Sequence, residues 1–121
     1  MPGNTSNEVL QGDIIANADL SAQQFNLVKL DTTLDRAVIL AVANVDQVYG
    51  VLCNKPTAGQ AALVQTGGEA KVRYGAGVTR GAALMSDTSG RAITQASTNP
   101  TLGWALESGA TNEIHSVRLN A

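Results

Sequence analysis

A mainly β domain, an antiparallel sandwich or small barrel with an extended N-terminal arm, is what this sequence predicts. Three observations carry that prediction. Short apolar or alternating runs recur about every ten residues, separated by Gly, Pro, Asn and Ser turns. Two runs alternate strictly: Ala70, Val72 and Tyr74 against Glu69, Lys71 and Arg73, and His115, Val117 and Leu119 against Ile114, Ser116 and Arg118. The longest apolar run, residues 37–43, contains Val38, Ile39 and Val42, whose branched side chains suit a strand. A helical stripe of Leu34, Ala37, Val38, Ala41, Val42 and Val45 also fits that stretch, so periodicity alone leaves a helix open.

Taken in order, residues 1–12 are polar and aperiodic and read as a flexible arm. The arm is extended to residue 18 by a short piece around Ile14 and Ile15, and a single β domain fills residues 19–121. Residues 19–24 form a helical turn with Asp19 as its N-cap, and residues 25–30 a strand. Residues 31–36 turn the chain into the 37–43 run. Residues 49–54 form a strand, and Lys55-Pro56-Thr57-Ala58-Gly59 a turn, since proline sets φ and glycine accepts positive φ. Residues 60–65 and 69–74 flank Thr66-Gly67-Gly68, which reads as a hairpin. In residues 75–93 a strand at 82–85, a turn at 86–90 and a strand from Arg91 follow. Residues 102–107 and 114–119 are the last two strands. Tyr49-Gly50-Val51-Leu52 is echoed by Leu102-Gly103-Trp104-Ala105-Leu106, an echo too short for a repeat architecture.

Composition narrows the function. At 121 residues the chain fits one domain, and a net charge of −2 offers no basic field for nucleic acid or an anionic membrane. Residues 37–43 fall far short of the roughly 20 apolar residues of a membrane helix. The start lacks a secretory signal, so the expectation is a product made in a cytoplasm. Cys53 is the sole cysteine and is expected to be a buried, inert thiol. Aromatics are few, namely Phe25, Tyr49, Tyr74 and Trp104, and alanine is abundant. A core of alanine and valine gains less than one of large side chains, each worth roughly 1.5–3 kcal/mol when fully buried. Trp104 and Phe25 are therefore expected as its anchors. A thin core also favours burial against copies of the chain or a scaffold.

No motif for chemistry survives inspection. Gly75-Ala76-Gly77 opens like a dinucleotide fingerprint, but no third glycine or long helix follows. Ser86 and Asp87 have only the distant His115 as a base, and short polar side chains at a turn explain them better. No calcium loop or metal cluster is present, so no cofactor is expected. His115 shares a face with Val117 and Leu119 and reads as packed. Arg73, Arg80, Arg91 and Arg118 read as solvated. The rival reading is a carbohydrate-binding or adhesin-like module with Trp104 or Tyr74 as a stacking platform. An exposed Trp104 would favour that module, and a buried one a scaffold.

Three pieces together resemble the small capsid cement, or head decoration, proteins of tailed bacteriophages. They are residues 19–31; Tyr49-Gly50-Val51-Leu52 with Lys55-Pro56-Thr57-Ala58-Gly59-Gln60 and Val64-Gln65-Thr66-Gly67-Gly68; and residues 77–91 with Leu102-Gly103-Trp104-Ala105-Leu106. The resemblance implies a non-enzymatic β domain on the outer surface of a capsid, usually a homotrimer, bridging neighbouring major capsid protein subunits. It implies a capsid-binding arm, which by position alone would place Asn4, Glu8, Val9, Leu10, Ile14 and Ile15 at the contact. Neither nucleic acid nor membrane is an implied partner.

Overall fold

The structure, a computed structural model, describes residues 9–43, 47–96 and 101–119, with side chains from Ile14 onward. The described residues form nine strands and no α-helix: β1 Val9–Ala16, β2 Leu27–Leu30, β3 Ala37–Leu40, β4 Gly50–Leu52, β5 Ala61–Arg73, β6 Ala83–Ser86, β7 Ala92–Thr94, β8 Gly103–Ala105 and β9 Ile114–Leu119. Strands β1, β3, β2, β4 and β5 follow one another in a ring that the β1–β5 pairing closes into a five-stranded barrel. β5 then runs on into a second sheet, β5-β9-β8-β6-β7. A parallel bridge from Tyr74 to Ala92 brings β7 back to the end of β5. All strand ladders are antiparallel except β1–β3, which is parallel.

β5 organises both units. The hairpin expected at Thr66-Gly67-Gly68 is absent, and one strand of 13 residues runs through it. Up to Gly67 it pairs with β1, and at Val64 and Gln65 with β4; from Gly68 onward it pairs with β9. The glycines mark the change of partner. Gly68 has φ +78°, and the buried Gln65 side chain donates to Gly67 O at 3.0 Å and Glu69 O at 2.7 Å. Those bonds satisfy carbonyls where the ladder is interrupted.

The core divides in two. Ile14, Ala16, Leu20, Val28, Val38, Leu52, Ala62 and Val64 fill the barrel. Leu27, Ala41 and Val51 pack instead with Val72, Tyr74, Leu84 and Val117 of the second sheet. Adjacent residues, Leu27 and Val28 or Val51 and Leu52, thus serve opposite cores. A strand buried on both faces needs continuous rather than alternating apolar residues, which is why residues 37–43 and 49–53 look unpatterned. The ambiguous run is a strand, Ala37–Leu40. Residues 69–74 alternate as expected, with Ala70, Val72 and Tyr74 buried.

Both expected anchors are corrected. Trp104 is 44% exposed: Gly103 and Ala105 face inward on β8, so the residue between them faces out. Phe25 is half-buried and lies outside β2; its φ of +70° sets it in a turn, where its N–H donates to Leu52 O (2.7 Å) and its carbonyl accepts from Arg73 N (3.0 Å). Among the described residues, the largest fully buried side chains are Tyr74, followed by Leu27, Leu52 and Leu84. The 19–24 helix is a pair of turns, with Asp19 accepting from Ser21 N at 3.0 Å. Cys53 is half-buried rather than buried.

The arm is corrected too. Residues 9–16 are β1, a wall of the barrel, paired to β3 and to β5. Apolar side chains at positions 14 and 16 face the core, so the short piece expected to continue the arm is interior.

Candidate functional site

Three places hold chemistry or shape above the background: a clamp around His115, a groove beside β2, and the outer face of the second sheet.

His115 sits on β9 across from Val72, with its ring 5.1 Å from that of Tyr74. Its Nδ1 is 2.9 Å from Glu107 Oε1 and its Nε2 is 2.9 Å from Glu113 Oε1. Each carboxylate also ties down backbone: Glu107 accepts from Ser116 N at 3.1 Å and Glu113 from Ala110 N at 2.9 Å. The Tyr74 hydroxyl donates to Glu107 O at 2.7 Å. The loop from β8 to β9 is thereby pinned to its own strand. Glu113, and next Glu107, raise the His115 pKa above its ordinary value, because only the imidazolium donates to both. Glu107 is held below the carboxylate range by Ser116 N–H and then His115, and Glu113 by His115 and then Ala110 N–H. Lys71 adds to the lowering at Glu107.

A pH dependence follows. The folded-state value of His115 lies above the unfolded one, so its stabilisation is whole below about pH 6.5 and fades as pH rises through the folded-state value. The two glutamates are shifted down, so theirs holds above the ordinary carboxylate range and is lost as pH falls through their folded-state values. Urea midpoints are therefore expected to decline from about pH 6 to pH 8, and His115→Asn to flatten that limb. A midpoint rising over this window, or an unchanged slope in the variant, would contradict the clamp.

Ser86 and Asp87 are structural, as expected. Asp87 Oδ1 accepts from Ser89 N and Arg91 N, both at 2.8 Å, while Oδ2 takes Arg91 Nε at 3.0 Å. Arg91 also reaches Asn112 Oδ1, and Arg73 donates to Asn112 O, each at 3.0 Å. These two arginines fasten turns rather than await a ligand. Among the described residues, no group of three or more His, Cys, Asp or Glu side chains is placed to hold a metal.

The groove, of about 740 Å³, is walled by Lys29, Leu30, Asp31, Ile39, Tyr49 and Leu102, among others. Asp31 is fixed by Thr33, whose N–H and hydroxyl donate to Oδ1 at 2.8 and 2.7 Å, and by Asn17 Nδ2. Those bonds, Thr33's first, hold its carboxyl below the usual range.

The outer face of the second sheet carries one row across four strands: Glu69, Arg118, Trp104 and Ala83, each in register with the next. Leu106 and Ile114, 46% and 37% exposed, extend the apolar part of this surface. Tyr74, the other residue suggested for stacking, is fully buried.

Of the residues expected at a capsid contact, Val9, Leu10, Ile14 and Ile15 belong to β1 rather than to a free arm. Asn4 and Glu8 lie outside the described residues. Val9 and Leu10 pair their backbones with Gly67 and Gln65. Ile14 is 4% exposed and Ile15, half-buried, donates to Arg36 O at 2.9 Å. Sequence reasoning missed the carboxylates around His115, which a single histidine two residues from one of them only faintly signals. It also missed the outward Trp104, whose signal was the small residue on either side.

No family model matches the chain. No curated protein matches it either. Among solved structures it is similar to one titled as the crystal structure of the head fiber gp8.5 N base in bacteriophage phi29, with a TM-score of 0.74 and 16% identity. The likeness covers 93% of this chain and 94% of the other. The two share a fold, a small barrel with an appended sheet, along almost their whole lengths.

Proposed function

We propose that this chain is a non-enzymatic structural protein of a phage virion, held on the outer surface of the capsid, where it cements neighbouring major capsid protein subunits as a homo-oligomer, a trimer. The observation that carries the proposal is the fold shared with a phage head fiber base over nearly the full length of both chains. The sequence resemblance to capsid cement proteins supports the same reading independently. Many copies, each making a modest contact, strengthen a shell through multivalency. The test is co-sedimentation with purified heads of the phage that carries the gene, followed by heating of the decorated heads. Saturable binding and a higher temperature of genome release are expected. Heads that neither bind the chain nor gain stability from it would end the cement reading.

One observation favours a second reading. Trp104 is exposed and stands in register beside Arg118 and Glu69, a stacking surface next to groups that bond hydroxyls. A glycan-binding module on the virion would use them. Binding on a glycan array that Trp104→Ala abolishes, with no affinity for heads, would replace the first reading by this one.

A further inference from the structure

We infer that the outer face of β8 and β9 is a self-association surface whose occupant is the β2 groove of a second copy of this chain. The inference rests on the homo-oligomer proposed above and names where its subunits touch.

Among the described residues, the exposed large apolar side chains other than Val42, which follows β3 and is 52% exposed, fall into two groups. Trp104, Leu106 and Ile114 project from the outer face of the second sheet. Leu30 and Leu34, 49% and 43% exposed, lie at the groove: Leu30 is part of its wall, and Leu34 belongs to the loop whose Thr32 and Thr33 line it. One group is a knob and the other a hollow. Their directions differ. Leu119 faces inward and lines the groove, while its neighbour Arg118 points out beside Trp104. Knob and groove therefore open on opposite sides of the same strand. With knob and groove facing opposite ways, one twofold contact cannot seat both knobs in both grooves at once. A head-to-tail contact seats each knob in the next copy's groove, and it ends in a ring of fixed size when the rotation from copy to copy closes, as the oligomer proposed above requires.

The chemistry is compatible on both sides. Tryptophan and arginine are enriched at the centres of protein interfaces, and the groove offers Tyr49 and aliphatic walls in return. Its volume of about 740 Å³ suits an indole with its flanking side chains. Charges are mixed on each surface: Arg118 beside Glu69 on the knob, Asp31 near Lys29 in the groove. Asp31 stays ionised through its bonds from Thr33 and Asn17, so it is available to a guanidinium. No single-sign field opposes the approach of a like copy.

The experiment is sedimentation velocity on the intact chain from about 1 to 100 µM, a span that reads micromolar dissociation constants. Two variants are compared with it, Trp104→Asp for the knob and Leu30→Asp for the groove. Both positions are exposed, and thermal unfolding verifies that each variant folds. The unaltered chain is expected as one oligomer of fixed size, and each variant alone as a monomer. An equal mixture of the two variants is expected to form a dimer and nothing larger, since one intact knob and one intact groove remain between them. A mixture that stays monomeric overturns the head-to-tail contact. An unaltered chain that is oligomeric, with either variant assembling as well as it does, overturns this surface alone and leaves the oligomer standing. An unaltered chain that is monomeric throughout overturns both, and glycan binding by that monomer through Trp104 would assign the knob to a sugar.

Discussion

Replacing Gly103 by alanine is expected to cost about 4 kcal/mol, a large share of the 5–15 kcal/mol that holds a domain together. Gly103 opens β8 with φ +159°, at the edge of the region that side chains avoid. A Cβ there would overlap the backbone carbonyl oxygen of Arg118, with Arg118 C at 2.9 Å and Leu119 Cα at 3.0 Å. These are backbone atoms in the β8–β9 ladder, where Gly103 pairs with Leu119, so no side-chain rotation relieves the overlap. Either the ladder separates or β8 tilts away from β6, to which Gly103 is also paired through Leu84. Gly77→Ala is the control, because a Cβ at Gly77 meets nothing within 4 Å. Chemical denaturation of the two variants reads the difference. The same midpoint for both would show that the ladder accommodates a side chain and that the account of β8 is mistaken.

Gly103 also explains what the sequence shows only as an echo. Tyr49-Gly50-Val51-Leu52 and Leu102-Gly103-Trp104-Ala105-Leu106 place a glycine first in a three-residue strand, β4 in one case and β8 in the other. At Gly50 a Cβ would overlap Gln65 O and approach Val64 Cγ1 at 2.6 Å. In both strands a neighbouring backbone crosses closely over the glycine. The echo is a shared local constraint, one in each unit. A sequence reveals that something small recurs; it does not reveal the carbonyl above it.

The same limit governs what was legible elsewhere. Alternation in residues 69–74 made their strand readable, since one side faces solvent. Residues 51 and 52 serve two cores at once, so their strand had no polar side to mark it. Thr66-Gly67-Gly68 gave a true signal, a backbone departure, but a turn and a change of strand partner call for the same residues. The buried Gln65 separates the two, and its partners are known only once the chain is folded. At the surface, Trp104 was misplaced because size suggested core, whereas strand parity decided the matter. The His115 clamp depends on Glu107, eight residues away across a loop, which no local pattern joins to it.

The arm is where sequence and structure make opposing forecasts, and truncation separates them. If residues 1–12 were a free arm, their removal would leave folding stability untouched. β1 begins at Val9, and its pairs Val9–Gly67, Leu10–Gln65 and Gln11–Val64 are part of the closure of the barrel. Removing 1–12 strips those pairs and bares one edge of β5 at the point where it changes sheets. Each lost hydrogen bond contributes about 0.5–1.5 kcal/mol, and opening the ring lets water reach Val64 and Ala62, which are fully buried. A loss of about 3 kcal/mol or more is expected, seen as a fall of roughly 10 °C in the melting temperature. Removing 1–8 keeps every β1 pair and is expected to change the melting temperature by no more than about 3 °C. Equal melting temperatures for the two truncations would return residues 9–12 to the arm. With the expected split, a test of arm-mediated capsid binding has to stop at residue 8, because a longer deletion that abolished decoration would report a damaged barrel rather than a lost contact.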